Sequence, residues 1–191
     1  MITTNNPRLY GRLCALRTHG VTRDPAKLLD KKQGGWYYEM QALGFNYRLT
    51  DIQAAIGIEQ LKKLDRFVAR RRAIAMQYNR GFHGLPEFRL PVEQSAAQHV
   101  YHLYVVRLQG SLVSKRKEIF EKLQGCGIGA QVHYIPIPSQ PYYRHLGYRT
   151  RDYPQAISYY RSAISLPMFP KMTDREVSFV IKTVKNIVRN S

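Results

Sequence analysis

The sequence predicts an α/β fold, and three features carry that expectation. Residues 81–191 alternate between short β-branched and aromatic runs and longer runs with apolar residues at helical spacing. Residues 51–80 keep one helical period throughout, behind a capping signal. Residues 2–20 pass directly from a β-prone tetrapeptide into a helical pattern. The chain has 191 residues, 44% hydrophobic and 12% aromatic. That is enough for one ordinary domain, or for a small domain plus part of another.

Taken in order, Ile2-Thr3-Thr4-Asn5 reads as the tail of a strand. Pro7 suits a first helical turn, Leu9, Leu13 and Leu16 recur at helical spacing, and Gly20 can close the helix. A loop over 21–45, rich in Asp, Lys and Gly, holds the cluster Trp36-Tyr37-Tyr38; loops of that length carry function or are mobile. Thr50 followed by Gln53 is a capping-box arrangement. Ile52, Ile56, Leu64, Phe67, Ile74 and Tyr78 then continue to Gly81. One helix over 51–80 would be about 45 Å long, which suits a bridge between two bodies or the lining of an interface. Beyond it, 99–108 reads as a strand, 114–127 as a helix between Ser114 and Gly127, and 128–137 as a second strand ended by Pro136. Residues 153–166 read as a helix. The closing helix over 172–190 is capped at Thr173 or Asp174, with Val177, Val180, Ile181, Val184 and Ile187 on one stripe. The sheet should be modest and antiparallel or mixed.

Composition narrows the function classes. Cys14 and Cys126 lie far apart with no metal-type spacing, which fits a reducing, cytoplasmic setting. No apolar run approaches the roughly 20 residues that span a bilayer, and the first residues lack a secretory pattern. Thirty Lys and Arg against 13 Asp and Glu give a net charge of +17. That excess points to a polyanionic partner, nucleic acid or a phosphate-bearing small molecule, or to an acidic remainder of the protein. The run Arg70-Arg71-Arg72 reads as a solvated basic face of the helix.

Three segments have the residue types that chemistry needs. In Gly44-Phe45-Asn46-Tyr47-Arg48-Leu49-Thr50-Asp51, an amide and a guanidinium stand just before a helix N-terminus. The set suits an anion, though Asn46 and Arg48 would equally serve to tie down a turn. In Ala130–Pro138, followed by Pro141-Tyr142-Tyr143-Arg144-His145, a strand stops at prolines and becomes an aromatic and basic loop. It suits a sugar or base, while a lone His133 is also a common structural residue. Neither His133 nor His145 has a Cys, Asp or Glu at ligand spacing, so no metal is expected. No Ser/His/Asp array and no Walker or Rossmann glycine pattern is present. Trp36–Met40 suits interface packing as well as substrate contact.

The stretches Ala15–Asp24, Trp36–Asp65, Gly127–Tyr148 and Ala163–Thr173, in this order, resemble the DegT/DnrJ-type sugar-nucleotide aminotransferases, a fold-type I family dependent on pyridoxal phosphate (PLP). Within it the likeness is to the transaminases of pseudaminic acid biosynthesis, which aminate C4 of a UDP-linked 4-keto-6-deoxy amino sugar. The resemblance implies that 1–50 is a remnant of the large cofactor domain with an interface loop. It makes 51–80 a long linking helix and 81–191 the small C-terminal α/β domain.

It also implies that the cofactor-bearing lysine lies ahead of Met1. None of the 11 lysines here has a matching context, so no catalytic residue is assigned and the isolated chain should be inactive. Asn46 resembles the asparagine that reaches across a dimer interface to the neighbour's PLP phosphate, and Arg48 matches the arginine beside it. His133 and Tyr134 match a pair near the sugar-nucleotide site. The partners implied are a nucleotide-sugar, glutamate as amino donor, and a second subunit or the N-terminal half. Two rival readings are a non-catalytic nucleotide-sugar-binding module and a basic nucleic-acid-binding protein. The second lacks any nucleic-acid module motif.

Overall fold

The computed structural model describes residues 2–191. It divides into two units, Met1–Lys62 and Lys63–Ser191.

In the second unit, β3 (Phe88–Arg89), β4 (Tyr104–Leu108) and β5 (Ala163–Leu166) form an antiparallel sheet in the order β3-β4-β5. Tyr104 pairs with Leu166 and Arg107 with Ala163; Phe88 pairs with Leu108. Tyr104, Val106 and Leu108 alternate onto the core face, as a half-buried strand requires. Helices α3 (Leu64–Phe82), α4 (Arg116–Gly125) and α7 (Asp174–Arg189) supply the rest of the core. They contribute Ile74, Tyr78 and Phe82, then Ile119 and Leu123, then Val177, Val180, Val184 and Val188. Thr173 and Glu176 cap α7 reciprocally. Gly81 of α3 faces Ile181 of α7 so closely that a Cβ there would lie 2.7 Å from the Ile181 side chain. Tyr78 is fully buried, stacks on Phe82 and meets Tyr104 at a tilt. Its hydroxyl donates to the Pro167 carbonyl at 2.8 Å.

The arginine run is not a solvated face. Arg70 donates to the Met172 carbonyl and pairs with Asp174 at 2.8 Å. Arg71 Nη1 lies 3.0–3.1 Å from the carbonyls of Tyr101, His102 and Met168. Arg72 holds Glu93 at 3.1 Å and the His99 carbonyl at 2.9 Å. The reason is that α3 runs beside two irregular segments, 93–102 and 167–174. Their carbonyls have no ladder to join, and long arginine side chains supply the missing donors.

Other elements also differ from the sequence reading. The single helix expected over 51–80 is two, α2 (Asp51–Leu61) and α3, because the backbone opens at Lys62-Lys63, where Lys63 has ψ −5°. Residues 128–137 form no strand, only one bridge between Gln131 and Ser165. Buried Pro136 and Pro138 lack the N–H groups that would extend it. The third strand is instead β5, taken from the end of the helix expected over 153–166. Helix α6 (Pro154–Ser162) stops where the four residues Ala163–Leu166 find β4. A short apolar run has no period of its own, so pairing decides it. Residues 2–5 are not a strand.

In the first unit, Asn6 caps α1 (Pro7–Leu16) by accepting from the Arg8 and Leu9 amides. Residues 44–47 run antiparallel to 16–19, and β1 (Val21–Thr22) pairs with β2 (Glu39–Met40). Among the described residues up to Lys62, only Gly20 is buried. Helix α2 carries exposed Ile52, Ile56, Ile58 and Leu61.

Candidate functional site

The site residues fall in both units, and each group is built by its own local structure. In the first unit the segment 44–50 is pinned to the end of α1. Phe45 N–H donates to the Leu16 carbonyl at 2.7 Å, His19 N–H to Phe45 at 2.9 Å, and Tyr47 N–H to Arg17 at 2.9 Å. Asn46 itself bridges Thr18. Gly20 and Gly44 make this approach possible. A Cβ on Gly44 would lie 2.2 Å from the Gly20 nitrogen, and Gly20 has φ +67° with Ala42 against it. The rings of Phe45 and Tyr47 stack at 5.0 Å on the other side of the chain's alternation.

Asn46 and Arg48 are brought together by this path. Arg48 Nε donates to Asn46 Oδ1 at 2.9 Å. The bond orients the guanidinium and leaves its two terminal nitrogens, with Asn46 Nδ2, free of partners among the described residues. All are solvent-facing. Donors left unused on two adjoining side chains, with one fixed positive charge, suit an oxygen-rich anion. The helix end contributes less than the sequence suggests. The capping box occupies the Gln53 amide through the Thr50 hydroxyl, and Asp51 puts a negative charge in the first turn.

The aromatic cluster 36–40 sits on a loop organised by Glu39. Its carboxylate accepts from the Leu29 and Asp30 amides at 2.8–3.0 Å, from the Tyr37 hydroxyl at 3.2 Å and from Gln41 at 2.8 Å. These donors, the Asp30 amide foremost, hold the Glu39 carboxyl below its usual range. The stabilisation is therefore complete above the unfolded value, about 4.3, and is lost as the pH falls through the lowered folded value. Asp24 and Asp30 shift in the same direction, the first by the Ala26 amide and the second by the Gln33 side chain. Trp36, the one tryptophan, reports the loop. Its fluorescence is expected to stay constant from neutral pH to about 4.3 and change below, with the transition blunted in Glu39→Gln. A transition centred above that pH would contradict this network.

In the second unit, the partly buried His133 places Nδ1 2.8 Å from the Ser165 hydroxyl. Ser165 is on β5, which Gln131 bridges, so strand pairing itself delivers the imidazole to that oxygen. Nε2 remains as the ring nitrogen available to a ligand. Tyr134 is 74% exposed and meets the His133 ring edge-on at 4.5 Å, across a cis peptide bond. Ser165 escaped the sequence reading because it lies 32 positions away inside a plain apolar run. Only the pairing of 131 with 165 reveals it.

The family model of the DegT/DnrJ/EryC1/StrS aminotransferases matches residues 1–185. The chain is 32% identical to the UDP-4-amino-4,6-dideoxy-N-acetyl-beta-L-altrosamine transaminase of Campylobacter jejuni, over 98% of this chain and 47% of that protein. Among solved structures, Spr1654 of Streptococcus pneumoniae in its PMP form superposes with a TM-score of 0.86 at 29% identity. The match covers 98% of this chain and 46% of that one. PseC of Helicobacter pylori, involved in pseudaminic acid biosynthesis, superposes with a TM-score of 0.86 at 28% identity, over 98% and 48%. The chain spans about half the length of the curated relatives it matches. The α/β architecture expected from the sequence is the corresponding part of fold-type I sugar aminotransferases.

Proposed function

Because the chain belongs to the DegT/DnrJ/EryC1/StrS aminotransferase family, we propose that it forms the C-terminal half of a PLP-dependent aminotransferase acting on a nucleotide-linked 4-keto-6-deoxy sugar. The product on this reading is a UDP-4-amino sugar for surface glycan synthesis. The observation that carries it is the Asn46–Arg48 pair, joined to each other on a pinned segment with donors to spare.

These donors fit a phosphate ester, so Asn46 and Arg48 are assigned to the PLP phosphate. PLP, when bound, carries the amino group from donor to keto sugar and acts as the electron sink for the proton transfers. Arg48 contributes charge and two terminal N–H groups, and Asn46 contributes one neutral donor while orienting Arg48. His133 and Tyr134 are assigned to the sugar. The Ser165 hydroxyl fixes the imidazole so that Nε2 can meet a sugar hydroxyl, and the exposed Tyr134 ring offers an apolar face. The lysine that binds the cofactor and moves the proton belongs to the other half. Apolar residues circle α2 without burial, which marks a helix that packs on several sides in a larger assembly. That half, or a second subunit, is the body that would cover it.

Reductive trapping tests this. The chain alone, incubated with PLP and borohydride, is expected to show no stoichiometric label at any of its 11 lysines. Co-expressed with the N-terminal half of a family enzyme, label should appear on the added half. Arg48→Ala should then weaken cofactor retention about tenfold, the loss of hydrogen bonds to a charged group. Stoichiometric label on one lysine of this chain would overturn the assignment.

A further inference from the structure

On the outer face of the second unit's sheet, Arg89 of β3 and Arg107 of β4 are directly opposed in register. Like charges in that position repel, and neither makes an ion pair among the described residues. Glu87, in the turn just before β3, pairs with neither, and its Oε2 is buried without a hydrogen-bond partner among the described residues. The contrast with Arg70 and Arg72, each paired with an acid, is sharp.

Arg107 is also held. Its Nε donates to the Ser162 hydroxyl at 3.0 Å, and its guanidinium lies 5.4 Å from the centre of the Tyr159 ring. Ser162 is 4% exposed, and its own hydroxyl donates back to the carbonyls of Ser158 and Tyr159. A buried hydroxyl therefore fixes the fork and leaves both terminal nitrogens unused. Arg107 stands between two clefts. One, of about 530 Å³, also carries Arg89. The other, of about 660 Å³, also carries Arg151 and Arg161. No Asp or Glu lines either cleft, and the one acid contact of this set is Arg151 with its neighbour Asp152 at 3.8 Å.

We propose that Arg107, flanked by Arg89, Arg151 and Arg161, is the centre of a binding site for a diphosphate group, free or carried on a nucleotide. An oriented guanidinium presents two parallel N–H groups to one phosphate, and the arginines on each side meet the adjoining charge while relieving the Arg89–Arg107 repulsion. The site stands independently of the cofactor and sugar assignments, since Asn46, Arg48, His133 and Tyr134 line neither cleft.

The test is calorimetric titration of the 191-residue chain with inorganic pyrophosphate at physiological salt. Arg107→Gln is expected to weaken binding about tenfold, and Arg107→Lys to fall short of wild type because it lacks the fork. Arg175→Gln, on α7 and lining neither cleft, should leave affinity unchanged. If Arg107→Gln loses the wild-type circular dichroism, Arg161→Gln replaces it, since the Arg161 side chain makes no hydrogen bond among the described residues; a loss of about threefold is expected. UDP binding tighter than pyrophosphate identifies a nucleotide-borne diphosphate, and equal affinities identify the free group. No pyrophosphate binding, equal losses in Arg107→Gln and Arg175→Gln, or uridine binding as well as UDP would each overturn the site.

Discussion

Gly44→Ala is expected to release the segment bearing Asn46 and Arg48 while leaving residues 63–191 folded. The added methyl would lie 2.2 Å from the Gly20 nitrogen, 2.5 Å from the His19 carbonyl carbon and 2.8 Å from the Leu16 oxygen. All three are backbone atoms, so no side-chain rotation relieves the overlap. The two strands of chain must part, and the bonds from Phe45, Tyr47 and His19 go with them. The expected cost is about 2 kcal/mol, read as about a 30-fold rise in amide exchange at Phe45, Tyr47 and His19. In the reconstituted enzyme, cofactor retention should fall at least as far as in Arg48→Ala, although both functional side chains are intact. Unchanged exchange at these three amides would show that the close approach of Gly20 and Gly44 does not position the segment.

Arg71→Ala is expected to destabilise the second unit by about 3 kcal/mol in urea unfolding, with little change in slope. One guanidinium nitrogen serves the carbonyls of Tyr101, His102 and Met168, which belong to two separate irregular segments. Removing it orphans all three and unties both segments from α3 at once. Tyr101 is held with φ +49°, an unfavourable conformation for a bulky residue. Its retention depends on such over-determination. Arg175→Ala, at an exposed position whose side chain has no partner among the described residues, should stay within about 0.5 kcal/mol of wild type. Equal effects of the two substitutions would restore the reading of Arg70–Arg72 as a solvated face.

Those arginines show where reading one dimension stops. A run of three like charges has the same local pattern whether it faces water or staples loops. The difference lies in carbonyls 30 to 102 positions away that have no ladder to join. The α2/α3 break has the same origin. The apolar period continues through Lys62 and Lys63, so periodicity alone sees one helix, while the backbone there opens into a turn.

What the sequence by itself determined is what local chemistry controls. The Thr50–Gln53 capping box, the cap at Thr173, the α7 stripe and the family motifs are short-range, and each appears in the fold as expected; the strand expected over 99–108 forms only over Tyr104–Leu108. The juxtaposition of Asn46 and Arg48 belongs to the same class, being two residues apart on one extended segment. Tertiary structure alone decided the identity of the third strand, the Ser165 support beneath His133, the duties of Arg70–Arg72 and the Arg89–Arg107 opposition. Each of these is a pairing between segments far apart in the chain. Its energy comes from groups that meet only after strands have registered and helices have packed, so no window along the sequence contains both partners.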